Sequence, residues 1–458
     1  MEYNLSHHLI NLTNQADNLG LGFSEKMTFR PILDDSEPAT LLLNEPGKIS
    51  LDIWLVMSCV FILYVSRQTF LYYKFLTSET MSAFRQHLDF IKHILPSFLL
   101  SVFTSVRFIR LDHLSDTVSA NPAIKKLHMS PNRSTFHTYI SDLHGYKNEN
   151  FVIATDSDER ITAFRRIMMR YASERLQSGV LHQIVEEGIQ EWTQKGSVDL
   201  MDITMFLERF VIRFLYEIDP KEVFTPEKRK KRAGTFYYCT KFVNWDSYRP
   251  IGHLFMLWFY ATKKDIDPMR RKLIGEITEI WDDLYERQMQ MIENGQRCLL
   301  GEFLKDPILA NCSKDFIKAN TIGAVVGGQF LTSISNVTGL LYSMVKQDVP
   351  PAEDKLNWIL RLISTWSPLT NVLRSDSGFI LKIPCTGNST ELNRSFSLGP
   401  RQCPARGLVL ELYKCMVDEL AKYKFSVENL EDKREICSVW SFTNQNLNFK
   451  ISKLSNDS

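Results

Sequence analysis

Phe396-Ser-Leu-Gly-Pro-Arg-Gln-Cys403-Pro-Ala-Arg-Gly-Leu-Val-Leu-Glu-Leu-Tyr-Lys-Cys-Met416 is the stretch on which the reading of this chain turns. It predicts a tight loop that presents one cysteine and runs straight into a helix. Gly399 offers a turn position free of Cβ, and Pro404 stands where a helix can begin, because its missing N–H is an orphan there anyway. Leu408, Leu412, Cys415, Met416 and Leu420 recur at intervals of three and four, one apolar helix face. A cysteine just ahead of a helix meets that helix's positive end and its free N–H groups, which favours the thiolate. Arg401 adds a cation suited to a carboxylate.

A thiolate iron ligand, hydrogen bonds to its sulfur and an arginine for a propionate make up a haem-thiolate site. The stretch resembles the ligand loop of the cytochrome P450 family, Phe-x-x-Gly-x-Arg/His-x-Cys-x-Gly. Phe396, Gly399, Arg401 and Cys403 match in register, and Ala405 stands at the last glycine. The resemblance implies a mostly α fold, a cytochrome P450-like helical domain with small β-sheets on an N-terminal membrane anchor. It implies heme b as cofactor, with Cys403 as its axial ligand.

Composition fits one large domain or two or three smaller ones. Hydrophobic residues make up 44% of the 458 and aromatic residues 12%, enough for a sizeable core. A net charge of +1 gives no global signal for nucleic acid, and none is expected as a partner. The eight cysteines show no paired spacing, so no zinc pattern or disulfide framework emerges and a reducing compartment is favoured. Several Asn-x-Ser/Thr sites occur, including Asn4, Asn11, Asn132, Asn336 and Asn388; only those outside the cytosol are usable.

Residues 1–48 are expected to be a flexible tail, 49–74 a transmembrane helix and 75–458 the haem domain. The run from Ile53 to Ser66 is uncharged, and carrying it through Tyr73 gives 21 residues with Arg67 as the one charge. A buried first helix is the competing reading. Lys74 and Arg67 bias the C-terminal side toward the cytosol, which places the protein in a membrane, the endoplasmic reticulum by family habit, with a cytosolic catalytic domain. Residues 77–110 read as helical, with Leu88, Ile91, Leu95, Leu99 and Phe103 on one side and Pro96 as a kink or break. Whether they belong to the fold or lie on the membrane surface stays open.

Further on, Arg165 and Arg166 sit on a charged helix start that is similar to the family helix whose arginine reaches a propionate; a solvated arginine pair is the alternative. Leu181–Trp192 predicts a helix, Gly196 a turn, and Asp199 or Asp202 the N-cap of the next helix. Lys228-Arg-Lys-Lys-Arg232 reads as a solvated loop, with anionic lipid or a redox partner as the alternative. Aromatics crowd 235–262, from Phe236 to Tyr260, where the family roofs its pocket, implying a hydrophobic small-molecule substrate.

A long helix is expected over 313–345. Aligning Thr332 with the family threonine that relays protons to the oxygen site puts Leu331 where the acid belongs and Gln329 where glycine belongs. Arg361 takes the arginine place of the family's Glu-x-x-Arg pair, but Trp358 replaces its glutamate, so Arg361 needs another acid or an exposed position. Arg374 matches a downstream propionate arginine. The 29 residues from Thr332 to Arg361 and the 42 from there to Cys403 are short for the family, as if connecting helices were missing.

The function expected is a monooxygenase that hydroxylates a hydrophobic small molecule, using dioxygen and electrons from an NADPH-dependent reductase. The alternatives are a peroxide-using or rearranging haem-thiolate enzyme, and an inactive haem-protein derivative.

Overall fold

Helix α1 (Pro46–Leu76) changes character along its length. The computed structural model describes residues 46–82, 84, 88–104, 107–111, 127, 159–231, 279, 282–326, 334–348, 354–366, 371–384, 396, 402–427, 435–437, 440–442 and 447–454. Residues up to Ile62 form one unit and Leu63–Ser458 a second. In the first, every residue from Ile53 to Ile62 is exposed. Of residues 1–48, expected as a tail, 46–48 belong to α1 and 1–45 lie outside the described residues.

In the second unit, α1 buries Gln68, Tyr72 and Phe75, a four-then-three spacing that makes one helix face. Helix α2 (Leu95–Thr104) follows a π-helical turn, Phe90–Ile94. Pro96 therefore falls at the junction where the π-helical turn passes into α2, near the kink or break that the sequence predicts. The expected apolar side is corrected, however. Ile91 and Leu99 are exposed, while Ser97 and Ser101 face inward. The Tyr64 hydroxyl donates to the Ser101 carbonyl and the Tyr72 hydroxyl to the Ser97 carbonyl, each at 2.9 Å.

Among the described residues the strands are β1 (Phe108–Arg110), β2 (Ser197–Asp199), β3 (Asn371–Asp376), β4 (Phe379–Pro384), β5 (Tyr423–Val427), β6 (Glu435–Cys437), β7 (Trp440–Phe442) and β8 (Asn448–Lys453). They form three small sheets ordered β1-β4-β3, β2-β8-β5 and β6-β7. β1 runs parallel to β4 and the other pairs are antiparallel. The first sheet shares a core with α1: Tyr72, Phe75, Ile109, Leu381 and Ile383 cluster, and the Phe75 and Phe379 rings stack at 4.1 Å.

The larger core belongs to the helices α3 (Glu159–Leu176), α4 (Val180–Lys195), α5 (Leu200–Tyr216), α6 (Leu299–Lys305), α7 (Lys314–Val326), α8 (Ile334–Val345), α9 (Lys355–Thr365) and α10 (Arg406–Leu420). The long helix expected over 313–345 appears as α7 and α8, with 327–333 outside the described residues. Gly196 closes α4 at φ 75°, a left-handed conformation that costs glycine nothing. Asp199 caps α5 in a reciprocal box with Asp202, and Lys195 bonds both carboxylates. Asn336 is buried in α8, which removes it as a modification site.

Two charge clusters tie the helices together. Arg209 of α5 meets Glu187 and Glu191 of α4 and also Asp219. Arg229 of the basic run is buried and pairs at 2.7 Å with buried Glu208 of α5. This corrects the solvated-loop reading: residues 226–231 are helical, so every third or fourth residue turns inward.

α4 and α5 approach closely at Gly188, where any Cβ would lie 2.4 Å from Cδ2 of Phe206. That ring is buried and packs edge-on to Trp192, with ring centroids 5.2 Å apart, so it has no room to swing away. Gly188→Val is expected to destabilise the protein by roughly 3 kcal/mol, the upper part of the usual overpacking cost. A urea denaturation midpoint equal to wild type, at unchanged slope, would show that the helices are not in this contact.

Candidate functional site

The loop before α10 is built from main-chain bonds around Cys403. Its N–H donates to the Phe396 carbonyl at 2.7 Å, and its own carbonyl accepts from Arg406 N–H at 3.4 Å. Phe396 is buried in the helical core and Cys403 packs half-buried at its edge. α10 starts at Arg406, two residues beyond Pro404, and its N-cap, Ala405, brings no side-chain hydrogen bond. The first turn therefore keeps free N–H groups facing the loop. The Ala405 N–H lies near enough to the Cys403 sulfur to favour its thiolate. Leu408, Leu412, Cys415, Met416 and Leu420 are all buried, the face expected of this helix.

α10 is held from behind by α4: the Cys415 sulfur lies 3.3 Å from His182 Nε2. Burial, with Glu411 and Asp418 on the same helix, pushes the Cys415 thiol up to about 11, so it stays protonated. Cys403 differs in surroundings. Burial pushes its thiol up too, opposed by the Ala405 N–H and the Arg165 guanidinium. The thiolate expected from the helix end alone is thus corrected, since desolvation outweighs the local donors. Coordination to a metal is what deprotonates such a thiol.

Arg165, from α3, reaches across the chain and donates to the Gln402 carbonyl, next to Cys403. Burial holds its guanidinium below the ordinary arginine value, with Cys403 opposing. Arg166 turns the other way and pairs at 2.8 Å with Asp306 beyond α6. Burial raises the Asp306 carboxyl, but the N–H groups of Leu309 and Ile308 and the Arg166 charge outweigh it and hold it below its usual range. The structure therefore gathers Phe396, Cys403 and Arg165. Arg374 lies in β3 opposite Leu381 of β4. Gly399, Arg401 and Thr332, with Leu331, the aromatic stretch 235–262 and Arg394, lie outside the described residues.

Trp358 is buried in the helical core on α9, whereas Arg361 is exposed and pairs with Asp354 of the same helical segment at 3.0 Å. Both ways out anticipated for Arg361 are realised. An apolar side chain has taken the acid's place in the core, a replacement that is often neutral or stabilising.

No family model matches the sequence, and no curated protein matches it. Solved structures do. The cytochrome P450 CYP109Q5 from Chondromyces apiculatus superposes with a TM-score of 0.54 at 11% identity, over 79% of this chain and 97% of that one. The fold is that of a cytochrome P450. CalO2 aligns with a TM-score of 0.56 at 12% identity, over 76% of this chain and 91% of its own. Within this cytochrome P450 fold, the cysteine loop runs into α10 against α3, α4 and α9. Arg165's reach to Gln402 joins residues 237 positions apart, a contact no local pattern signals.

Around Cys403 stand one sulfur, the main-chain N–H groups at the start of α10 and one nearby cation, Arg165. Among the described residues no group of three or more His, Cys, Asp or Glu gathers as a metal site. A single protein sulfur fits a metal that brings its remaining ligands with it, as a porphyrin does.

Proposed function

We propose that the chain is a haem-thiolate monooxygenase that hydroxylates a hydrophobic small molecule, with Cys403 as axial ligand of heme b. The observation that carries this reading is Cys403, held just ahead of α10 by its main-chain bond to Phe396 with Arg165 donating to its loop at Gln402, in a cytochrome P450 fold. Cys403 would bind iron through its sulfur, and the Ala405 N–H would temper the charge there. Arg165 is the better placed of the two α3 arginines for a propionate, because Arg166 is engaged with Asp306. Arg401 and Arg374 are assigned the same role, and Phe396 and Gly399 the shaping of the loop. Thr332 is assigned to the oxygen side, where its hydroxyl would pass a proton; these assignments rest on the resemblance. Haem, when bound, supplies dioxygen activation, and thiolate donation favours O–O cleavage.

Electrons would come from an NADPH-dependent reductase. Among the described residues one helical stretch, Ile53–Leu76, is long and apolar enough to cross a membrane, and it supports a membrane anchor. Arg67 and Lys74 at its C-terminal end support a cytosolic domain, with the endoplasmic reticulum as the membrane.

The test is the visible spectrum of the purified protein, reduced with dithionite under carbon monoxide. A Soret band strongly shifted to the red is expected. Well-folded protein without a haem band would sink the enzyme reading and leave a derived, non-catalytic protein. Leu331 favours, as a second reading, a peroxide-using or rearranging enzyme with the same spectrum; turnover without any reductase would establish it.

A further inference from the structure

Three helices of the larger core converge on a small cavity that the haem-thiolate reading does not use. α5 contributes Tyr216, its last residue, α7 contributes Thr321, and the helical residues 282–293 contribute Gln288. Leu284, Leu300 and Phe303 supply apolar wall. The space open to a water-sized sphere is about 10 Å³, a tight fit for one water molecule and too small for a larger ligand.

Tyr216, Gln288 and Thr321 are each at most 3% exposed, so none of them turns to solvent for partners. The Tyr216 hydroxyl donates to the Thr321 carbonyl at 3.0 Å. Gln288 accepts from Leu300 N–H at 2.9 Å and donates to the Tyr216 carbonyl at 3.0 Å. Both keep capacity in hand. A phenol oxygen has lone pairs left after donating, and a carboxamide has a second N–H and a second lone pair. The Thr321 hydroxyl differs: it is buried and has no hydrogen-bond partner among the described residues. Orphaned buried hydroxyls are rare in native proteins, and ordered water is the usual missing partner.

The surroundings select a neutral occupant. Burial raises the Tyr216 phenol above its ordinary value, and its bond to Thr321 only partly opposes that, so the phenol stays protonated. Among the described residues no charged side chain lines the cavity, so an ion there would be unpaired.

We propose that this cavity is a binding site for one structural water molecule, held by the Thr321 hydroxyl together with the spare capacity of Tyr216 and Gln288. The water completes a polar link among α5, α7 and the helix over 282–293. α7 is the first part of the long helix expected over 313–345, so its seat in the core is set partly by solvent. Nothing in this link depends on haem.

A crystal structure of the full chain tests this directly. A density peak within hydrogen-bonding distance of Thr321 Oγ1, and of Tyr216 Oη or Gln288, is expected. Thr321→Val keeps the shape and removes the hydroxyl, which gives a test in solution whose sign separates the two cases. With water in place, valine strips it of a partner, and the urea midpoint falls at unchanged slope. In a dry cavity valine removes an unsatisfied hydroxyl, and the midpoint rises. An empty cavity in the crystal, or a midpoint at or above that of wild type, would overturn the assignment. The carbon monoxide spectrum reads neither quantity, so failure here leaves the proposed function standing.

Discussion

Cys403→Ala is expected to abolish the red-shifted carbon monoxide band completely while the protein stays folded. The fold survives because the loop is closed by main-chain bonds, Cys403 N–H to Phe396 and Arg406 N–H to Cys403, which alanine keeps. Haem, in contrast, would lose the one protein ligand proposed for it. Cys415→Ala is the matched control: its sulfur faces His182 on the far side of α10, and the band should persist. A red-shifted band retained in Cys403→Ala would remove Cys403 from the ligand position and the proposed function with it.

The largest stability effect is expected at Glu208. Its side chain is 2% exposed and that of Arg229 7%, and the two meet at 2.7 Å. Arg229 also donates to the Met205 carbonyl at 3.0 Å. Glu208→Ala leaves a buried guanidinium with that one carbonyl, and removal of one partner of such a pair costs about 3–5 kcal/mol. Glu208→Gln keeps an acceptor and should cost less. Adding Arg229→Met to Glu208→Ala should recover much of the loss, because the uncompensated charge goes with it. A urea midpoint for Glu208→Ala within about 1 kcal/mol of wild type would show that Arg229 escapes to solvent.

What was legible in the sequence was whatever is written locally. The α10 face, the Gly196 stop, the Asp199 cap and the break at Pro96 each depend on neighbours within a turn or two, and each formed as expected. The cysteine loop was read from four residues in fixed register, of which Phe396 and Cys403 are among the described residues and are joined by a main-chain bond. Arg229 was misread because a basic run reports charge, whereas its burial depends on Glu208, 21 residues away. Arg165 and Arg166 looked equivalent, and only the distant Gln402 and Asp306 tell them apart. Ile91 and Leu99 looked like core because apolar spacing does not reveal what lies opposite. The thiol of Cys403 was misjudged because a helix end is visible in sequence and desolvation is not.

The acids around Arg209 carry a consequence for acid tolerance. Burial raises the Glu187 carboxyl, but Arg213 and Arg209 outweigh it and hold it below its ordinary value. A carboxylate depressed on folding stabilises the native state above its unfolded value and gives up that contribution as the medium is acidified through its folded value. Arg209 then keeps its charge, buried, as the Glu187 counter-charge disappears. The contact that weakens is α4 against α5, and α4 is also the helix behind α10. Hydrogen exchange in α4 should rise on acidification before that in the sheet shared with α1. Acid would thus reach the Cys403 loop from behind, through the helix that carries its support.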